Sequence, residues 1–506
     1  MSSIVLQGFI SAVLLSAPFL SPYFFPVAWV AFVPLFRAID KQKSLREAGF
    51  LGWLVGFFAN LIGFHWLVYT IGVFGGFPYP VSAVLFTLYA ALQGLQTAFF
   101  ALLVRRFGYG PLFLSPAVFW IAIEFWFPHL FPWHLANSQS FFTGFLQTAD
   151  LVGAYGASCL VMWSNVILAR ALAARNKDST VPWLPGLICA GAAASSLVYG
   201  YLRLDAVADQ LKTAPKLSVA AVQANIPVGM KWDPKQMKAN LEAHIKLTQG
   251  IIGARLVIWP ESAIEEWLPE NLARLPKEFI DILELKDAYF IFGARSFSGN
   301  FGAPNFKAFN TAFLADGQGR LIGRYHKQAL LAFGEYLPFA PILSKLPAMP
   351  FADGFTPGDG PRTLDLSARE RLALLICYED LMPELARQFI RREKAHLLVN
   401  ITNDAWYGKT VASWQHARLA QLRAIETRRT LLRVTNTGAT TVIDATGAIV
   451  QSLPTFTPAV MRADVALLEG ETFYVRYGDW FAWGMTLFAL LVILIRGRKP
   501  SRSVNR

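Results

Sequence analysis

"ALLICYEDLMPE", residues 373–384, holds an apolar run that stops at Cys377 and gives way at once to Glu379 and Asp380. A short, continuous apolar run bounded by polar residues reads as a strand buried on both faces. Strands of that kind sit inside layered α/β domains, and open α/β sheets gather their working side chains at strand ends. The stretch therefore sets the fold class and raises a chemical question. The thiol at its tip is either core filler or a nucleophile.

Similar runs lie on both sides of it: "KLSVAAVQANI" (216–226), "ARLVIWPE" (254–261), "AYFIFGARSF" (288–297), "NTAFLADGQGRLIGRYHK" (310–327), "AHLLVNITND" (395–404) and "TLLRVTNTGATTVIDATGAIV" (430–450). Helix-like segments separate several of them: "DPKQMKANLEAHIKLTQGII", "ELARQFIRREK" and "SWQHARLAQLRAIETRR". The turns "DGQGR" and "DATGA" read as hairpins, so mixed rather than purely parallel sheets are expected. Residues 328–358 break the rhythm with a long, apolar, Pro- and Gly-rich segment. Long irregular segments in compact domains are usually functional, and this one is expected to face lipid or cover a lipid-binding cleft.

Composition places this domain on a membrane. Hydrophobic residues make up 54% of the 506-residue chain and charged residues 16%. The apolar residues crowd into about eight candidate spans: 4–20, 23–37, 49–71, 80–104, 111–127, 152–174, 183–202 and 479–495. No lysine or arginine precedes the first apolar run, so no removable signal peptide is expected. The net charge of +12 comes without a basic helix or an aromatic-rich RNA-binding motif, so nucleic acid is not an expected partner. Many of the basic residues flank the spans, where they orient the chain and meet anionic lipid. Arg37, Lys41, Lys43, Arg46, Arg105, Arg106, Arg170, Arg175, Lys177 and Arg496 follow alternate spans, and the intervening loops carry none. The positive-inside rule then puts both termini in the cytoplasm and the α/β domain on the outer side, the periplasm of a Gram-negative cell. The expected division is 1–205 for the N-terminal transmembrane helices, 206–475 for the outer domain, and 476–506 for a last span with a basic cytoplasmic tail.

Cys159 and Cys189 lie within predicted spans, so Cys377 has no disulfide partner in its own domain. A lone thiol on the oxidising side needs a reason. Glu261 ends the run "RLVIWP", and Lys327 ends "RLIGRYH". A buried carboxylate can take a thiol's proton, and a lysine can stabilise an oxyanion beside a main-chain N–H. Together the three groups could run acyl transfer through a thioester, a chemistry that asks for a low-pKa thiol in a dry site.

The wording of three motifs, "WPES" (259–262), "GRYHK" ending at Lys327 and "CYEDLMPE", resembles the nitrilase superfamily. That resemblance implies an αββα sandwich in which Glu261 is the general base, Lys327 the oxyanion stabiliser and Cys377 the nucleophile. "VQANIPVGMKWDP" (222–234), "FGEYLPF" (333–339), "TNDAWYG" (402–408) and "WQHARLAQLRAIETRRTLLRVTNTG" (414–438), set between membrane spans, extend the likeness over nearly the whole chain to the apolipoprotein N-acyltransferase family. Enzymes of that family move an acyl chain from a membrane phospholipid, through a cysteine thioester, to the amine of an apolipoprotein's diacylglyceryl-cysteine. The likeness implies supporting roles for Glu335, Tyr378 and Glu379 and lipid contact for Trp232. It also implies location in the bacterial inner membrane. One departure stands out: the family usually reads K-x-H-L-V-P-F-G-E-Y, whereas this chain has "KQALLAFGEY", with Ala329 and Ala332 in place of His and Pro.

Asn403 and Asp404 are expected to shape the cleft wall beside the thiol. His326 is expected at the surface, and His416 is expected to be packed or solvated on an amphipathic helix. Glu124, inside a span, is expected to be a structural partner or a headgroup contact. No phosphate loop, dinucleotide fingerprint or zinc motif is present, so no cofactor is expected. The expected working unit is a monomer. A membrane-bound amidase or hydrolase remains the main rival. A transporter would show paired repeats and broken helices with polar groups at mid-membrane, and no such pairing is seen. A non-catalytic lipid-binding scaffold would leave the three strand-end groups unexplained.

Overall fold

The computed structural model describes residues 3–174, 181–285, 288–337 and 354–497. Seven helices among them are long and apolar enough to cross a membrane: Ser3–Leu20, Pro22–Asp40, Leu45–Gly63, Tyr79–Phe107, Ala154–Ala174, Trp183–Thr213 and Trp480–Gly497. The expected span at 111–127 is a helix of only 12 residues, Ser115–Trp126, about 18 Å long against a hydrocarbon core of roughly 30 Å. The expected span at 23–37 is broken. Pro22–Trp29 winds as a 3-10 helix with Pro26 inside it, and Val33–Asp40 resumes as α-helix. Backbone groups freed at such a break need partners in an apolar bundle. Asn165 supplies them, accepting from the Phe32 N–H at 2.8 Å and donating to the Ala28 carbonyl at 2.9 Å. The expected span at 49–71 also divides, at Phe64, and a second short helix, Leu67–Gly75, carries the chain toward the α/β domain.

The two ends of the bundle differ. At one end Arg170 pairs with Asp40 at 3.0 Å, Tyr109 donates to Asp40 at 2.7 Å, and Arg496 contacts the Phe107 carbonyl. The segments that follow three separate spans therefore meet the end of the last one. The α/β domain packs on the other end. Glu124 is buried near there, accepting from the Leu135 N–H at 2.6 Å and from Trp120 Nε1 at 3.2 Å. It is a structural partner that fastens the turn Leu135–Gln139. Burial from solvent rules out the headgroup contact.

The last helix of the N-terminal bundle runs unbroken through the expected boundary at 205 to Thr213, and the first strand starts at Lys216. Two sheets follow. The first has the order β13 (Ala459–Ala466), β1 (Lys216–Gln223), β2 (Leu256–Ile258), β4 (Tyr289–Ser298), β5 (Lys307–Ala315) and β6 (Leu321–His326), with β3 (Ile264–Pro269) also on β4. The second runs β12 (Ile449–Ser452), β11 (Thr441–Ile443), β10 (Leu431–Thr435), β9 (Leu397–Thr402), β8 (Glu370–Ile376) and β7 (Leu364–Ser367). Both sheets are mixed. The hairpins expected at "DGQGR" and "DATGA" are β5–β6 and β11–β12.

Alternation along β1 puts its two faces into two different apolar cores. Val219 and Ala221 of β1 pack into the same core as Leu374 and Val399 of the second sheet. Ala220 and Val222 join a separate core with Ile280 and Leu283 of an outer helix. Strands covered on both faces read as unbroken apolar runs, which is why the central strands were visible in the sequence. The helix Ala412–Thr427 covers the second sheet and also meets the bundle. Gln415 on it accepts from Trp66 Nε1 at 2.7 Å and donates to the Phe19 and Gly63 carbonyls at 2.9 Å. Arg428, just beyond it, pairs with Asp150 at 2.7 Å.

Candidate active site

Three strand ends meet at one chamber. Glu261 follows β2, Lys327 follows β6 and Cys377 follows β8, and all three line a cavity of about 520 Å³. The domain supplies most of the wall, and Thr70, Val73, Phe74 and Phe131 of the bundle complete it.

The end of β8 turns sharply at the thiol. Cys377 has φ +57°, in the left-handed region that residues other than glycine seldom occupy, and it opens the 3-10 turn Cys377–Leu381. Asn400 Nδ2 donates to the carbonyls of Leu375 and Cys377 at 3.2 and 2.7 Å. Glu379 fastens the other side. Its Oε1 accepts from the Gln328 and Ala329 N–H groups at 2.6 and 2.9 Å. Its Oε2 accepts from the Ile376 N–H at 2.7 Å and the Tyr325 hydroxyl at 3.0 Å. One buried carboxylate thereby ties the Lys327 segment to the Cys377 turn. Burial pushes Glu379 up to about 7 despite these donors.

Glu261 is placed by a close crossing of chains. A Cβ on Gly293 would lie 2.6 Å from Ser262 N and 2.7 Å from Glu261 Cα, so glycine is required where β4 meets this turn. Glu261 accepts from Asn310 Nδ2 at 2.8 Å and from the Asn403 N–H at 3.0 Å. Asn310 Nδ2 also donates to Glu335 at 3.0 Å. Glu335 in turn accepts from Lys327 Nζ at 2.8 and 2.9 Å and from the Leu331 N–H at 2.8 Å. The ammonium of Lys327 lies 5.2 Å from the centre of the Tyr378 ring, whose hydroxyl donates to the Leu330 carbonyl at 2.8 Å.

The charges follow from this geometry. Burial raises the Glu261 carboxyl above its ordinary range, with Lys327 opposing the shift and Glu335 adding to it. Burial works against the charge on Lys327, but Glu335, Cys377 and Glu261 outweigh it and hold the lysine protonated. The Cys377 thiol is pushed up to about 12 by burial and by the Glu261 charge, with Lys327 pulling the other way. This shift runs against the expectation of a low-pKa thiol, because burial penalises a free thiolate. Such a thiol ionises as it hands its proton to a base.

Trp232, also in a left-handed conformation at φ +63°, stacks on Trp406 at 5.1 Å, and Trp406 meets Phe74 of the bundle at 4.3 Å. Asn403 lines the chamber. Asp404 stands behind that wall rather than in it, fully buried, with Oδ1 3.3 Å from His416 Nδ1. His416 Nε2 lies 3.0 Å from Asp380 Oδ1, and Arg433 contacts Asp380 as well. Burial lowers Arg433 to about 9. His416 is therefore not solvated. His326, expected at the surface, is half-buried: it stacks on Phe309 at 4.2 Å, bonds Thr311 at 2.8 Å and lies 3.7 Å from Glu270.

Comparison with known proteins gives the same architecture a family. The carbon-nitrogen hydrolase family pattern matches residues 218–472, and that of the apolipoprotein N-acyltransferase N-terminal domain matches 11–167. The apolipoprotein N-acyltransferase of Geobacter metallireducens is 33% identical over 98% of this chain and 96% of its own. The chain belongs to the apolipoprotein N-acyltransferase family. The member from Azotobacter vinelandii is 32% identical over 94% of this chain and 91% of its own. Among solved structures, an amidase from Nesterenkonia sp. aligns at 20% identity over 54% of this chain and 96% of its own, with a TM-score of 0.36.

Within this family framework the departure at Ala329 and Ala332 has a local account. The loop after Lys327 is held through its backbone, by the Gln328 and Ala329 N–H groups on Glu379 and the Leu331 N–H on Glu335. Ala329 keeps its own N–H donor, and none of the three bonds comes from Ala332. The apolar segment expected to face lipid falls largely on 338–353, outside the described residues. Sequence reading missed Asn310, Asn400, Asp380 and Arg433. The available signal was a polar residue inside an otherwise apolar strand, as Asn310 is in "KAFNTAFLA".

Proposed function

We propose that this chain transfers a fatty acyl group from a membrane phospholipid, through a thioester on Cys377, to the amine of an apolipoprotein's diacylglyceryl-cysteine. The single observation that carries the reading is the chamber. It brings Glu261, Lys327 and Cys377 to one cavity, part of whose wall is made by Thr70, Val73, Phe74 and Phe131 of the bundle.

In the first step Glu261 takes the thiol proton as sulfur attacks the ester carbonyl of the phospholipid. Lys327 and the main-chain N–H of Tyr378 stabilise the oxyanion. The ester C–O bond breaks, and the lysophospholipid oxygen leaves with the proton returned by Glu261. In the second step the acceptor amine attacks the thioester and gives a proton to Glu261. The C–S bond then breaks, and Glu261 returns a proton to the sulfur. Glu335 holds Lys327 in place, Glu379 and Tyr378 hold the turn and loop, and Asn403 steadies Glu261 through its N–H. Asp404 supports the wall from behind. Trp232, stacked on Trp406, offers lipid a flat apolar surface at the chamber mouth.

Location follows the same reading. The chain lies in the bacterial inner membrane, with its basic bundle end and both termini in the cytoplasm and the domain of residues 206–475 in the periplasm. The working unit is a monomer, and the reaction uses no cofactor.

Intact mass after incubation with phospholipid, beside Cys377→Ser, tests this. The expected result is a fatty-acyl adduct that hydroxylamine removes, absent from the variant and discharged by a diacylated lipopeptide. A folded wild type that forms no adduct refutes the nucleophile. Release of free fatty acid in place of transfer identifies the hydrolase.

A further inference from the structure

We infer that His416 is a positioning residue for Cys377: it carries a proton on both ring nitrogens and, with Arg433, compensates two aspartates buried behind the nucleophile. The inference rests on Cys377 as the nucleophile, as proposed above.

Four titratable or charged side chains meet there out of reach of solvent. Asp380, Asp404, His416 and Arg433 are each at most 3% exposed. Asp380 belongs to the turn Cys377–Leu381 that carries the thiol. Asp404 opens the turn Asp404–Tyr407, next to Asn403, whose N–H holds Glu261. His416 stands between the two turns, with Nε2 3.0 Å from Asp380 Oδ1 and Nδ1 3.3 Å from Asp404 Oδ1. One imidazole thus links the turn of the nucleophile to the segment that steadies the base. The ring of Tyr407, which lines the chamber, meets it edge-on at 6.0 Å. Arg433 contacts Asp380 and lies 3.9 Å from Asp404 Oδ2. It sits beside Asn400 across β10 and β9, and Asn400 Nδ2 donates to the Cys377 carbonyl.

The proton count follows from these contacts. An ionised carboxylate only accepts hydrogen bonds, and a neutral imidazole has a single N–H. Both ring nitrogens face a carboxylate oxygen, so a neutral ring would set one lone pair against another. It would also leave the guanidinium of Arg433 to compensate two carboxylates alone. An uncompensated buried charge is costly. A ring protonated on both nitrogens supplies both donors and the missing positive charge.

The thiol feels the difference. Glu261, Lys327 and Glu335 act on it from the chamber side, and the Asp404 charge is among those that push it up. An uncompensated aspartate therefore opposes the thiolate that forms as Glu261 takes the proton. His416 removes that opposition through Asp380 and Asp404, while its two bonds hold the turns in register.

The test reads the thiol in the full-length enzyme in detergent. Alkylation of Cys377 by iodoacetamide at pH 8, followed by peptide mass, tracks the thiolate fraction. His416→Gln keeps a donor but loses the charge, so alkylation should slow about tenfold, the equivalent of about one pH unit. Asp404→Asn should stay at or above the wild-type rate. The double variant, with one aspartate facing one arginine, should return close to wild type. For thioester formation from phospholipid, kcat should fall about tenfold in His416→Gln with KM unchanged, and recover in the double variant. In 15N spectra of ring-labelled wild type at pH 8, the histidine signals that move in Asp404→Asn should show both nitrogens protonated. Slower alkylation in Asp404→Asn, or a double variant slower than either single one, overturns the inference and leaves His416 a packing role alone. A ring with one protonated nitrogen overturns it too. If His416→Gln does not fold, the Asp404→Asn rate and the wild-type spectrum decide. A wild type that alkylates but forms no thioester refutes the Cys377 reading, and the alkylation rates and the spectrum still decide the charge on His416.

Discussion

Asn310→Ala offers the sharpest test of Glu261 as the base. One side-chain amide bridges two carboxylates, donating to Glu261 at 2.8 Å and Glu335 at 3.0 Å. Its bond to Glu261 favours the ionised form, against burial and the Glu335 charge, which favour the neutral one. A base works only when ionised, so thioester formation falls as pH drops through the raised Glu261 value. Removing the amide removes a bond to a charged group, worth about 1.5–3 kcal/mol. At 1.36 kcal/mol per pH unit, the acidic limb should move up by about one to two units. The assay is single-turnover acylation from phospholipid between pH 5 and 9, read by intact mass, with the plateau compared at high pH. A slower reaction with an unmoved limb would mean that Glu261 is not the titrating base. A limb that moves down would mean that the amide stabilises the neutral acid, and the charge argument would fail.

Glu379→Gln puts an amide NH2 where an oxygen accepts two donors. It forfeits at least two charge-assisted bonds, about 3 kcal/mol or more, and loosens Lys327 from Cys377. Acylation should fall about a hundredfold, as expected for misplacement near 1 Å, and thermal unfolding in detergent should shift down; wild-type values for both would refute the fastening role. The pH dependence has a definite sign, because the folded carboxyl is raised to about 7. Its contribution is full below the unfolded value near 4.3 and is lost as pH rises toward 7, so the stability difference between pH 4.5 and 8 should shrink in Glu379→Gln. Trp406→Ala removes the ring that joins Trp232 to Phe74. It should raise the KM for long-chain donors several-fold while leaving short-chain ester donors near wild type, and an equal effect on both would deny a lipid-facing surface.

The legible parts of this sequence share one physical cause. Strands β2, β4, β5, β8 and β9 are covered on both faces, so their apolar runs are continuous, and those of β2 and β8 end visibly at Glu261 and Cys377, whereas Lys327 ends the half-exposed β6. Three strands escaped notice. In β3 and β13 buried and exposed positions mix, as in "IEEWLP", which leaves no clear period to read, and β7 alternates over only four residues. The helix bearing His416, expected to be packed or solvated, left that choice open for a different reason. Its polar side chains suggest solvent, but the bundle and the second sheet enclose it, so His416, Gln415 and Arg423 are all buried. Only tertiary packing supplies their partners, and Asp380 and Arg433 became part of the site's support in the same way. The second and fifth spans were read too regularly because mean composition does not register a proline break or a helix of 12 residues.

The raised thiol connects the fold to the choice between transfer and hydrolysis. A preformed thiolate needs water or a strong cation close by, and an open site would let water compete for the thioester. Here burial favours the Cys377 thiol, pushed up to about 12, and the proposed reaction uses Glu261 and Lys327 as a pair. On that reading the proton moves only when an ester carbonyl is in place, so nucleophile formation is coupled to donor binding. Once formed, the thioester sits in a chamber walled partly by Thr70, Val73, Phe74 and Phe131 of the bundle. A lipid-borne amine can approach along such an apolar wall, whereas water must leave its own hydrogen bonds to do so. On the proposed reading the two halves of the chain are one catalytic device: the sandwich supplies the acid–base pair and the thiol, and the bundle supplies part of the wall along which a lipid-borne amine approaches.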